Sequence, residues 1–110
     1  IDNEYFETYY KESSSMKSEV LVRILEENMS FELPKNFNEV DSKILVTVGE
    51  REKSVMIKSA KDIVSNNPNC VGIIIPKIGH GVSLVKPDFF NQLIEKWIQD
   101  SSLPQDIRTI

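Results

Sequence analysis

Two short apolar runs, rich in β-branched residues, constrain this chain most: residues 43–48 (KILVTV) and residues 71–75 (VGIII). The first ends at Gly49 and the second at Pro76. Runs without polar alternation suit strands covered on both faces, the usual state of parallel sheets. Between them, residues 53–66 place Val55, Met56, Ala60, Ile63 and Val64 at helical spacing, and the Asn66, Asn67, Pro68, Asn69 stretch ends the pattern. The arrangement predicts strand, helix, strand, with a right-handed crossover and parallel pairing.

The flanks read as helices. Tyr5, Phe6, Tyr9 and Tyr10 form one stripe, and the serines at 13, 14 and 15 supply a break and an N-cap. Met16, Val20, Leu21, Ile24 and Leu25 then recur every three or four residues to about Asn28. Residues 31–39, with Pro34, are a connector. Beyond the second strand, Pro87 fits the first turn of a last helix, whose apolar face is Phe89, Phe90, Leu93, Ile94, Trp97 and Ile98. The expected order is helix, helix, strand, helix, strand, helix. Two parallel strands leave both outer edges open, so missing sheet, or self-association through those edges, is expected. A clean monomer in light scattering with cooperative unfolding would count against self-association.

Composition narrows the function. A net charge of −4 with scattered basic residues supplies no footprint for nucleic acid or an anionic membrane surface. No apolar run approaches the roughly 20 residues that span a bilayer. The single cysteine, Cys70, excludes an internal disulfide, fits a cytoplasmic setting and leads into a buried strand, where a core role is expected. One histidine, one cysteine and scattered carboxylates lack metal-site spacing. Neither GxGxxG nor GxxxxGK[ST] occurs, so no phosphate loop and no cofactor are expected. The serine run is no GxSxG elbow.

In an open parallel sheet, chemistry gathers at the carboxyl ends of the strands. There lie Gly49, Glu50, Arg51 and Glu52 in one loop, and Gly79, His80 and Gly81 in the other. His80 is the sole histidine, flanked by glycines that permit a tight turn. With an unperturbed pKa of about 6.5, histidine suits proton transfer near neutrality. Its bland alternative is an ordinary loop histidine. Glu50 and Glu52 are carboxylates that can orient an imidazole, or solvated charges, one of which Arg51 pairs.

These residues resemble the C-terminal part of the α/β-hydrolase family. Residues 44–52 (ILVTVGERE) look like its strand and acid loop, with Ser42 or Lys43 where the family has a proline. Residues 67–81, from Asn67 through VGIII to Gly79, His80 and Gly81, are similar to the last strand and histidine loop. Residues 87–94 (PDFFNQLI) match its last helix. The resemblance covers about residues 40–99. It implies an α/β fold, the C-terminal fragment of a three-layer α/β-hydrolase fold. Residues 39–110 would be the core part, with two parallel strands and flanking helices. Residues 1–38 would be the end of a helical cap. His80 would be the catalytic general base and Glu52 the triad acid, although in some members the acid comes from an earlier strand. The expected reaction is acyl transfer from an ester, thioester or amide to water, on a small-molecule substrate. The nucleophile and oxyanion loop would lie outside this chain, so the fragment alone would be inactive. A non-catalytic small-molecule binder on the same fold is the alternative.

Overall fold

The computed structural model describes residues 3–110. The chain divides into two compact units, one ending at Leu33 and the other running from Pro34 to Ile110.

The first unit holds helices α1 (Asn3–Ser15) and α2 (Ser18–Ser30). Phe6 and Tyr10, one turn apart, stack with ring centroids 6.5 Å from each other. Neither helix buries a residue. The serines at 13, 14 and 15 lie inside the last turn of α1 and do not cap α2. Ser15 bonds back to the Glu12 carbonyl at 2.9 Å, the local bond by which serine is accommodated at a helix end. The residue before α2 is Lys17, whose side chain makes no capping bond.

The second unit is mixed α/β. Strands β1 (Ile44–Gly49) and β2 (Cys70–Ile75) pair in parallel, Ile44 opposite Cys70 and Gly49 opposite Ile75. Helix α3 (Ser54–Ser65) connects them. Alternate β2 side chains enter two cores, as the period of two demands. Ile73 and Ile75 pack with Ile78 and Leu93, the latter from helix α5 (Pro87–Asp100). Ile74 packs with Val48 and with Ala60 of α3. Both faces of β2 are therefore covered, which is why its sequence is apolar throughout. The inward residues of α3 are Ile57, Ala60, Ile63 and Val64, while Val55 and Met56, counted in its apolar face, are exposed. Ile98 of α5 is likewise exposed. Pro87 opens α5 at its first turn, and Ser101, in the left-handed region at φ 59°, closes it by donating to the Trp97 carbonyl.

The sheet has three strands, not two. Strand β3 (Arg108–Thr109) pairs antiparallel with β2, Thr109 opposite Ile73. The Ile110 amide donates to Gly72 at 2.9 Å, and the Ile110 side chain sits where a Cβ on residue 72 would stand. One of the edges expected to be open is thus partly covered. Among the described residues nothing pairs the outer edge of β1.

Asn67 fixes how the two parallel strands enter the sheet. It is buried at 1% exposure, and its amide donates to the carbonyls of Phe37 (2.8 Å) and Val40 (3.0 Å). Its own carbonyl accepts from the Asn69 amide at 2.7 Å. Asn69 in turn reaches Val40 with its side chain and the Ile44 amide with its backbone. The turn before β2 thereby holds the segment before β1, so both strands start level and both carboxyl ends emerge together.

Candidate active site

The carboxyl ends of β1 and β2 carry the loop of residues 50–53 and the loop of residues 76–81. They lie in close contact because Gly49 has no side chain. A Cβ there would collide with the backbone carbonyl oxygens of Ile78 and Gly79. Backbone bonds tie the loops: Glu50 donates to Ile75 at 2.9 Å and Arg51 to Ile78 at 2.8 Å. The Glu50 carboxylate accepts from the Lys77 amide at 3.1 Å, where Lys77 takes a positive φ of 60°. Gly81, at φ 101°, then turns the chain into the single-turn helix α4 (Val82–Val85). That conformation favours glycine.

Glu52 and His80 meet across this junction. Glu52 Oε1 lies 2.7 Å from His80 Nδ1. Oε2 accepts from the Gly49 amide at 2.6 Å, and the Glu52 amide donates back to the Gly49 carbonyl at 3.1 Å. Both carboxylate oxygens are engaged. The Glu52 side chain is 8% exposed and that of His80 85%. An ionised carboxylate only accepts, so with Glu52 ionised Nδ1 is the donor of this contact. A mostly buried carboxylate thus holds one ring nitrogen of an exposed imidazole.

Compared with protein-family models, with curated proteins and with solved structures, the chain matches none of them.

His80 lines two depressions. One, of about 220 Å³, is formed with Thr47, Gly49, Gly81, Val82 and Ser83 among others. The second, of about 380 Å³, is formed with Arg51, Glu52, Lys53 and Met56. The structure thus brings together the two residues singled out from the sequence, Glu52 and His80. Glu50 accepts from the Lys77 backbone amide instead. Arg51 forms no ion pair with either glutamate among the described residues. Sequence reasoning missed Glu50's clamp and the placing of Ser83 beside His80. The isolated stretch VSLV after Gly81 was the only signal for α4.

Cys70 is buried at the start of β2, and burial pushes its thiol above the ordinary value of 9.0. It is disfavoured as a thiolate nucleophile and fits a core role. Among the described residues no group of three or more His, Cys, Asp or Glu side chains could hold a metal ion. Among them, no helix is long and apolar enough to cross a membrane.

Proposed function

We propose that this chain is the C-terminal part of an α/β-hydrolase, in which His80 is the general base and Glu52 the acid that orients it. The observation that carries the reading is the 2.7 Å contact between Glu52 and His80 Nδ1 at the carboxyl ends of adjacent parallel strands. The resemblance of the two loops and the last helix to that family supports it. So does the contrast between a buried acid and an exposed imidazole, which leaves Nε2 open to a nucleophile from another segment.

In this mechanism a serine outside these residues attacks the carbonyl carbon of an ester, thioester or amide. Its hydroxyl proton passes to His80 Nε2, and Glu52 stabilises the imidazolium through Nδ1–H. The tetrahedral intermediate collapses to an acyl-serine as His80 returns the proton to the departing alcohol, thiol or amine. Water then attacks the acyl-serine and gives up a proton to His80, which passes it to the serine oxygen as the acyl–oxygen bond breaks and the carboxylic acid leaves. The acid in this scheme is a glutamate, one methylene longer than aspartate. Its second oxygen is anchored on the Gly49 amide, which fixes the longer side chain.

The test is hydrolysis of short- and long-chain nitrophenyl esters by the parent protein, wild type against His80→Ala. The expected result is a loss of several orders of magnitude, about the 10⁴-fold or more typical of disabling a triad, with folding preserved. Equal activity in the two proteins would overturn the role of His80. An inactive wild type that still binds small molecules in this cleft would favour the non-catalytic binder. The 110-residue chain alone is expected to turn over no ester. Turnover lost in His80→Ala would instead place a nucleophile within these residues, with Ser83 the first to replace.

A further inference from the structure

We infer that the depression bounded by Arg51, Lys53 and Met56 receives an anionic end of the substrate. That end is an oxyanion, carboxylate or phosphate, joined to the reacting carbonyl through a short apolar spacer. The inference rests on the proposed function only in calling the ligand a substrate. The binding site itself stands on the geometry.

Four observations converge on it. His80 lines both depressions, so a carbonyl held at its ring has an arm in each. The two differ in lining. Glu52 lines both, but the first adds three glycines, apolar Val48, Ile75 and Val82 and two hydroxyls and holds no cation, whereas the second carries Arg51 and Lys53. Arg51 and Lys53 form no ion pair among the described residues, although the whole chain has a net charge of −4. The one carboxylate in that lining, Glu52, is spent, with one oxygen on His80 and the other on the Gly49 amide. Its charge stays in the lining, but it makes no ion pair with Arg51 or Lys53, so the site carries two cations against one anion.

The chemistry of the lining selects the ligand. Arg51 offers a planar fork of donors that matches a carboxylate or phosphate, and Lys53 adds a mobile point charge. Met56, exposed on the first turns of α3, gives a polarisable apolar floor for a few methylenes between the anion and the carbonyl. A neutral long acyl chain would leave both cations without a partner. A dianionic ligand without a spacer would have nothing to lay on Met56.

The experiment is a titration of the isotopically labelled 110-residue chain, followed by amide and imidazole resonances. Three probes are used: monomethyl glutarate, n-butyl phosphate and the neutral dimethyl glutarate. The expected result is that both anions shift the signals of Arg51, Lys53, Met56 and His80. At least one should bind about tenfold or more tightly than the diester, a difference that shrinks as salt is raised. The tighter anion identifies the natural group. In Arg51→Glu/Lys53→Glu protein the preference disappears. Both side chains are exposed, so that variant should keep the wild-type spectral dispersion. Should it unfold, the salt dependence of the wild type decides alone. Equal binding of diester and anions, or shifts confined to Thr47, Gly81 and Ser83, would overturn the inference. Anion preference together with an inactive parent protein would sink the hydrolase reading and leave the anion site standing. Ester turnover without anion preference would do the reverse.

Discussion

Helices α2 and α5 are nearly the same length, 13 and 14 residues, and each carries an apolar stripe. In α2, Val20, Leu21, Ile24 and Leu25 are all exposed, and no residue is buried. In α5, Leu93 is 1% exposed and Phe89, Phe90, Ile94 and Trp97 are half-buried. What separates them is the surface available. Helix α5 meets Ile73 and Ile75 on one face of β2 and Ile78 in the loop beyond, whereas α2 belongs to a two-helix unit with no sheet. An amphipathic pattern defines which face a helix can bury. It does not say what will cover that face, and helical stability in proteins comes mainly from the covering.

The comparison can be broken or sharpened by substitution, each effect read from the midpoint and slope of denaturant unfolding. Leu93→Ala should cost the most, about 2–5 kcal/mol, through lost burial and the cavity it leaves. A cost well under 1 kcal/mol would mean that α5 is as weakly held as α2. Asn67→Ala comes next, at about 1–3 kcal/mol, because it removes three hydrogen bonds made by a buried side chain, to the carbonyls of Phe37 and Val40 and from the Asn69 amide. Val40 keeps its bond from Asn69, which moderates the loss. An unchanged midpoint would show that the entry to the two strands is held by packing alone. Leu25→Ala should move stability least, by no more than about 0.5 kcal/mol, as for other exposed positions. A loss near that of Leu93→Ala would show that the α2 stripe is covered in solution, and the contrast would vanish.

Much of the second unit was legible in the sequence. The runs at 43–48 and 71–75 announced a parallel pair, because side chains covered on both faces leave no alternation to hide them. The pattern around residues 53–66 gave α3 its place, though the inward face is turned toward Ile57 and away from Val55 and Met56. Pro87 marked the start of α5. The elements missed were β3 and α4, of two and four residues, too short to show any period. Asn67 read only as a helix stop, since nothing local reveals that its amide will reach back to Phe37 and Val40. At the site, Glu52 and His80 each had an ordinary surface explanation. Their significance came from lying beyond neighbouring strands, a relation that exists only once the strands pair. Glu50 and Glu52 were indistinguishable as letters. Which one met the imidazole depended on the turn over residues 50–52, closed by the Glu52 amide on the Gly49 carbonyl.

The bonds between the two loops have a mechanical consequence. Glu50 to Ile75, Arg51 to Ile78, Lys77 to Glu50 and His80 to Glu52 make four rungs across one junction. Glu52 and His80 are therefore not carried on two loops that come into register independently. The four bonds tie the two loops to each other, so a displacement of one breaks bonds to the other. The alignment of the pair is set when the sheet forms, and no ligand has to bring the two together.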